Sequence, residues 1–165
     1  MKQKKKPSAS RTITSQDLRN FKLVGDPQLS ADGARVCFVV KKVGKKNDYQ
    51  TSLWMVDTEK GRPRQFTRGT KDSQPRWSPD GSELAFISSR DDGPPQVFLI
   101  SCEGGEARPL TDFPEGTIAQ LRWSPTGRQI GVLFRETDSQ FTRQAEKDRG
   151  TSGESTPPRA TDDLW

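Results

Sequence analysis

Trp77-Ser78-Pro79-Asp80-Gly81 is the stretch that decides the fold, because the same turn occurs three times in the chain. A second copy reads Trp123-Ser124-Pro125-Thr126-Gly127, and a weaker one reads Leu29-Ser30-Ala31-Asp32-Gly33. The glycines of the three copies lie 48 and 46 residues apart. Proline pre-sets φ in such a turn and glycine accepts a positive φ, so each copy predicts a tight turn between two antiparallel strands.

The residues after each turn alternate like a strand that is buried on both faces. After Gly81, one face carries Leu84 and Phe86, and the other carries Ala85 and Ile87. The fourth residue after each glycine is small: Cys37, Ala85 and Gly131. Strands with two buried faces are expected where antiparallel sheets stack face to face around an axis.

A second hairpin follows the first in each unit. Residues 53–67 recur at residues 97–111, a shift of 44 without a gap, and the glycines at the turn, Gly61 and Gly105, coincide. Each unit of about 40–50 residues therefore supplies four short strands, which is one blade of a β-propeller. In the second unit we expect them near residues 74–78, 83–88, 96–101 and 107–111.

The predicted fold class is all-β, an incomplete β-propeller of about two and a half TolB-like or WD-like blades. A short N-terminal helix and disordered ends are expected to accompany the blades. We divide the chain into a basic disordered tail (1–14), a short helix (15–24), blade 1 (26–68), blade 2 (74–112), the first hairpin of blade 3 (118–135) and a polar insertion or disordered tail (136–165).

The blade count predicts that function depends on more than these residues. Closed propellers need about four to eight blades, and an open stack leaves one sheet face without a neighbour. We therefore expect an N-terminal piece of a longer protein, self-association through the open blade face, or assembly with another chain.

Composition favours a near-neutral folded region with a basic start. The net charge is +5, but residues 1–22 carry +6 and the remainder sums to −1. A nucleic-acid-binding domain would carry its basic surface on the folded part, so no nucleic-acid partner is expected. The longest apolar run, residues 36–40, is far too short to span a membrane, so no membrane partner is expected. Residues 7–10 are not those of a secretory signal, so a cytoplasmic location is expected.

The residue types needed for catalysis are missing. The chain contains no histidine, no Gly-x-Ser-x-Gly elbow and no phosphate-binding loop, so we assign no catalytic residue, no metal ligand and no cofactor. Cys37 and Cys102 are interpreted as structural thiols. Asp91-Asp92 is interpreted as part of a solvated loop, and Trp54, Trp77 and Trp123 as blade-packing residues.

The residues singled out are therefore structural residues of the repeated turn. They are Ser30, Asp32, Gly33, Trp77, Ser78, Pro79, Asp80, Gly81, Trp123, Ser124, Pro125 and Gly127.

Three stretches carry a resemblance to a known family: Asp17-Leu18, residues 26–33 (DPQLSADG), and residues 75–86 (PRWSPDGSELAF). Together they resemble the start of prolyl-oligopeptidase-family serine peptidases, in the branch of acylaminoacyl-peptidase-like and dipeptidyl-peptidase-like enzymes. The resemblance covers about residues 15–134.

The resemblance implies an N-terminal propeller that covers the active site of a C-terminal α/β-hydrolase domain and limits entry to short peptides. The expected partners are that hydrolase domain and short peptide substrates. This chain alone is then not an enzyme, and its parent would be a serine peptidase.

Three alternatives remain beside this hypothesis. A free-standing TolB-like propeller would act as a protein-binding module. A WD-type scaffold would need a Gly-His signature, which a chain without histidine cannot have. A nucleic-acid-binding role for the basic start ranks last.

Overall fold

The chain folds into stacked antiparallel sheets, as its repeats predict. A computed structural model describes residues 12–59 and 61–152. It contains two four-stranded sheets and one two-stranded sheet, and in each of them neighbouring strands follow one another along the chain. The all-β, incomplete propeller architecture is thereby confirmed, with no closed barrel among the described residues.

The strands have the following bounds. Blade 1 contains β1 (Lys22–Leu29), β2 (Arg35–Val43), β3 (Tyr49–Asp57) and β4 (Arg64–Gln65). Blade 2 contains β5 (Asp72–Trp77), β6 (Glu83–Ser88), β7 (Gln96–Ser101) and β8 (Arg108–Pro109). Blade 3 is represented by the hairpin of β9 (Gly116–Trp123) and β10 (Ile130–Glu136).

Blade 2 is buried between its two neighbours because its middle strands are apolar on both faces. Leu84 and Phe86 of β6 belong to a core cluster with Cys37 and Leu53 of blade 1. The alternate residues Ala85 and Ile87 belong to a second cluster, which includes Ile118 and Leu121 of blade 3. The period of two in the sequence therefore places alternate residues in two different cores.

The first strand of each later blade contacts the preceding blade. β5 contacts β1, β2 and β3 of blade 1, and β9 contacts β5 of blade 2. The fourth strands β4 and β8 contain only two residues each, and each lies at the outer edge of its sheet.

The first strand of a blade continues through a proline. Blade 1 was expected to begin at residue 26, but β1 runs from Lys22 to Leu29 with a bulge between Gly25 and Gln28. Blade 2 has an equivalent bulge at Gln74-Pro75, and both residues before proline have positive φ, 46° at Asp26 and 48° at Gln74. The ladder tolerates proline here because the bulged residues are unpaired.

The N-terminal helix is shorter than the sequence predicts. The helix expected over residues 15–24 is a 3-10 helix over Ser15–Asn20 only, because residues 22–25 pair with β2 instead. The Thr14 N–H and hydroxyl donate to the Asp17 carboxylate at 2.8 and 2.9 Å and fix the helix start.

The segment after Glu136, expected to be irregular, contains a 3-10 helix over Ser139–Phe141 and α1 over Arg143–Ser152. The Thr142 carbonyl accepts the Glu146 N–H at 2.9 Å, which starts α1. Strong helix formers follow at residues 144–147. The basic tail before residue 12 and the segment from residue 153 onward lie outside the described residues.

The repeated turn is closed by its own side chains. In the second copy the Ser78 hydroxyl donates to Asp80 Oδ1 at 2.6 Å and accepts the Glu83 N–H at 2.9 Å. Asp80 Oδ1 also accepts the Ser82 N–H at 3.1 Å. These bonds, led by that from Ser78, lower the pKa of Asp80 from 3.8 to about 2.

The other two copies have the same geometry. Ser30 and Asp32 repeat the hydroxyl–carboxylate bond at 2.6 Å, and in the third copy the hydroxyls of Ser124 and Thr126 are 3.2 Å apart. Gly33, Gly81 and Gly127 have φ of 72°, 72° and 71°, which disfavours any residue with a Cβ. Pro79 and Pro125 stand between serine and the third turn residue in two of the copies.

Each tryptophan of the turn ties its blade to the preceding one. Trp77 Nε1 donates to the Gln28 carbonyl at 2.9 Å, and Trp123 Nε1 donates to the Arg76 carbonyl at 3.0 Å. Gln28 and Arg76 are themselves 48 residues apart and immediately precede Leu29 and Trp77. The contacts between blades therefore repeat along the chain, as the turns do.

We predict that Trp77→Phe lowers the free energy of unfolding by about 1–3 kcal/mol, because the Gln28 carbonyl loses its donor. Urea unfolding followed by circular dichroism measures the loss. The matched control is Phe141→Leu at a side chain that is 52% exposed, which should leave stability nearly unchanged. Equal stability of the Trp77 variant and the wild type would show that this bond does not stabilise the stack.

We predict that Asp80→Asn lowers stability at neutral pH and weakens its pH dependence in acid. The native pKa of Asp80, about 2, lies below the ordinary 3.8, so ionised Asp80 stabilises the fold above pH 3.8 and loses this effect as the pH falls to about 2. Urea midpoints at pH 7, 4 and 2.5 should therefore converge for the two proteins. Asp112→Asn, at an exposed carboxylate outside the turns, is the control; a pH-independent gap for Asp80→Asn would contradict the prediction.

Candidate interaction surfaces

The turn residues singled out in the sequence lie at one end of the strands and serve the blades themselves. Ser30 and Ser78 are 3% and 4% exposed, and their hydroxyls are used within the turn. Trp77 and Trp123 are partly buried between blades. Trp54 is not their equivalent: it lies on β3, where its Nε1 donates to the Ser52 hydroxyl at 3.2 Å.

An ion pair joins the inner strands of blades 1 and 2. Arg76 Nη1 lies 3.0 and 2.8 Å from the two carboxylate oxygens of Asp26, and it also donates to the Pro75 carbonyl at 2.7 Å. In the next blade the residue equivalent to Asp26 is Gln74, whose Nε2 donates to the Ala119 carbonyl at 2.8 Å. Both bulges therefore direct a polar side chain toward the following blade.

The outer face of blade 1 is apolar and has no blade against it among the described residues. Phe38 lies opposite Trp54, and Val36 lies opposite Val56. These residues alternate with Cys37, which packs toward blade 2. Leu29, the partner of Val36 on β1, is 60% exposed. We call the surface formed by Val36, Phe38, Trp54 and Val56 the open face of blade 1.

The outer face of blade 3 is more polar. Leu133 is 63% exposed and lies opposite Gln120, while Gly131 lies opposite Arg122. Arg135 and Thr117 form the next pair on this face. The free edge of β10 has no strand partner among the described residues.

Between the outer parts of blades 1 and 2 lies a groove with two adjoining cavities. The larger, about 830 Å³, has an apolar floor of Phe66, Ile100 and Ala107, and the smaller is about 450 Å³. Arg68 and Arg90 line both. We call this the inter-blade groove; its remaining charged residues are Glu106 in the larger cavity, and Lys71 and Asp92 in the smaller.

The two arginines of the inter-blade groove differ in how they are held. The Arg90 guanidinium lies over the Phe98 ring at 4.7 Å, and its buried Nε has no hydrogen-bond acceptor among the described residues. Arg68 is exposed and makes no ion pair with any described residue. Lys71, in contrast, lies 2.7 Å from Asp92 and lowers the pKa of that carboxyl.

A buried carboxylate lies behind this groove, and the sequence analysis missed it. Asp72 is fully buried, and its Oδ1 accepts the Ser88 hydroxyl at 2.6 Å. Its Oδ2 has no partner among the described residues. A Cβ on Gly69 would collide with this carboxylate, which explains the glycine.

Comparison of the three blades identifies Asp72 as a departure from the repeat. The equivalent strand pairs are Val24 with Val40 in blade 1 and Ile118 with Phe134 in blade 3, both apolar. The signal in the sequence was therefore a polar pair at a position where the other copies are apolar.

The described residues offer neither a metal site nor a reactive thiol. No group of three or more acidic, cysteine or histidine side chains is placed to hold a metal ion in this part of the chain. Burial raises the pKa of Cys37 to about 12 and that of Cys102 to about 11, so both thiols are poor nucleophiles. No helix within residues 12–152 is both long and apolar enough to cross a membrane.

Known proteins share this architecture. The chain is 41% identical over 137 residues to the uncharacterized peptidase YuxL of Bacillus subtilis (strain 168), an alignment that covers 82% of this chain and 21% of the relative. Among solved structures, uncomplexed Pyrococcus horikoshii acylaminoacyl peptidase superposes with a TM-score of 0.61 at 20% identity, over 75% of this chain and 19% of that one. The β-propeller domain of the trilobed protease from Pyrococcus furiosus gives a TM-score of 0.58 at 21% identity, over 69% and 34%.

The likeness to the two solved structures shows the fold, and the similarity to YuxL confirms the resemblance to peptidase propellers. The chain spans about a fifth of the length of this relative. The family model of the TolB beta propeller domain matches residues 8–156, which is nearly the whole chain. With the repeated turn and the stacked blades, this match shows that the chain belongs to the TolB β-propeller domain family.

Proposed function

We propose that these residues form a non-catalytic propeller portion of a cytoplasmic serine peptidase, in which the blades limit access to a C-terminal hydrolase domain. The observation that carries the proposal is the 41% identity to the peptidase YuxL, of which the chain spans 21%. In such a protein the chemistry would belong to the hydrolase domain, since the present chain has no histidine to serve as a base.

The open face of blade 1 supports the same proposal. Phe38 and Trp54 lie on a sheet face that is built like the buried faces of blade 2 but has no blade against it among the described residues. Apolar sheet faces of this kind are stabilised by a further layer, which in a longer protein would be another blade. In the isolated chain we expect this face to drive self-association.

A second candidate function is a free-standing propeller that binds other proteins. The match to the TolB beta propeller domain over residues 8–156 favours it. The two candidates differ in what they predict for a longer protein: only the peptidase requires a nucleophile, a base and an acid beyond the blades.

The experiment that tests the proposal uses the gene that encodes this chain. We predict that the 165-residue chain does not hydrolyse acylated or free dipeptide p-nitroanilides. A longer product of the same gene, which includes the region encoded downstream, is expected to hydrolyse them. A serine-directed fluorophosphonate should label only the longer product. The peptidase proposal would be contradicted if the downstream region encoded no Gly-x-Ser-x-Gly domain, or if the longer product took no label.

The limit on substrate access has its own test in the longer protein. We expect the double variant Trp77→Phe/Trp123→Phe, which loses both bonds between blades, to increase hydrolysis of long peptides relative to a dipeptide p-nitroanilide. Arg62→Gln, at an exposed residue outside these contacts, is the control. If the double variant has a lower free energy of unfolding but the same ratio of long-peptide to dipeptide hydrolysis, the result would count against gating.

Self-association of the isolated chain is tested by light scattering. We predict that the mean mass rises with concentration and that Phe38→Lys returns it toward the monomer, because the lysine places a charge on the open face of blade 1. Phe141→Lys, at an exposed aromatic residue outside this face, should change nothing. A wild-type chain that stays monomeric at all concentrations would contradict the prediction.

A further inference from the structure

We propose that the inter-blade groove is a binding site for an extended acidic peptide segment, with Arg68 and Arg90 as the carboxylate-binding residues. The proposal concerns residues of blades 1 and 2 alone and does not depend on a hydrolase domain. Its basis is a groove in which two guanidinium groups form no ion pair with any described residue and lie beside an apolar floor.

The first step is the state of the two arginines. Arg90 is held in place by the Phe98 ring at 4.7 Å, so little side-chain entropy would be lost when it binds an anion. Its Nε is buried and has no acceptor among the described residues. The Arg90 side chain as a whole is only half-buried and lines both cavities, so its guanidinium is the charge that a carboxylate in the groove would meet.

The second step is the charge of the groove. Asp92 is paired with Lys71 at 2.7 Å, and Asp72 lies behind Gly69, where only its Oδ1 has a partner, the Ser88 hydroxyl. Glu106 lines only the larger cavity, from the segment between β7 and β8, whereas Arg68 and Arg90 line both cavities. The charge arrangement thus favours an acidic side chain near the arginines and disfavours one near Glu106.

The third step is the shape of the groove, which favours a peptide over a small anion. The larger cavity, about 830 Å³, is within the range of ligand pockets, and Phe66, Ile100 and Ala107 offer an apolar surface beside the charge. Gln65 belongs to β4, the edge strand of blade 1, and lines the same cavity. An extended chain can add to such an edge by main-chain hydrogen bonds while its side chains enter the groove.

The test measures fluorescence anisotropy of a labelled peptide, Gly-Asp-Leu-Glu-Phe-Gly, against the full 165-residue chain. Its matched control peptide has Asn and Gln in place of Asp and Glu. We expect the acidic peptide to bind at least about tenfold more tightly, and its affinity to fall as sodium chloride is raised. Equal affinity for the two peptides would overturn the proposal.

Matched variants locate the site. Arg68→Gln and Arg90→Gln should each weaken binding of the acidic peptide about tenfold or more, while Arg62→Gln, at an exposed arginine outside the groove, should leave it unchanged. Glu106→Gln should tighten it. Because Arg68 is exposed, its variant tests the site even where Arg90→Gln lowers the melting temperature.

Two further results would overturn the proposal. One is equal loss of affinity in Arg62→Gln and Arg68→Gln, which would indicate non-specific attraction to a basic surface. The other concerns competition by inorganic phosphate, measured for the acidic peptide and for a peptide that lacks Leu and Phe. Full displacement of both peptides at the same millimolar phosphate concentration would overturn the proposal. That result would assign the groove to small anions instead.

Discussion

Burial of the blade 2 sheet on both faces is the constraint on which the remaining structure depends. Leu84 and Phe86 face one core and Ala85 and Ile87 face the other, so neither core exists unless a neighbouring sheet is present. Burying a large apolar side chain stabilises a fold by about 1.5–3 kcal/mol, and each such contribution here requires two blades. Stability in this fold is therefore a property of pairs of sheets.

Polar contacts set the spacing and order of those sheets. The bonds from Trp77 and Trp123 to carbonyls of the preceding blade fix each first strand against the one before it. The Asp26–Arg76 ion pair does the same between blades 1 and 2. The inter-blade groove lies away from these contacts, between the residues that flank the short fourth strands β4 and β8.

The blades share one backbone plan but differ in the groups that they carry at equivalent positions. The pair Asp72–Ser88 replaces the valines or the Ile–Phe pair found in the other two blades. Arg90 follows this pair closely in the chain, because it begins the 3-10 helix Arg90–Asp92 just after β6 ends at Ser88. Blade 2 thus combines the structural repeat with a local set of polar groups, and function in repeat proteins is expected where the copies differ.

The sequence by itself determined the blade plan, because a turn with proline, an Asp or Thr and a glycine of positive φ requires a strand on either side. The alternation after Gly33, Gly81 and Gly127 then predicted two buried faces, and the family resemblance rested on the same residues. The sequence did not indicate that β1 begins at Lys22, because a bulge carries this strand through Pro27, or that the polar residues after Glu136 form α1. Only the tertiary structure decided which residues meet across blades, including Trp77 with Gln28 and Arg76 with Asp26, and that Arg68 and Arg90 line one groove. The physical reason is that these partners lie far apart in sequence, and their meeting depends on the angle and offset between sheets, which no periodicity within one strand records.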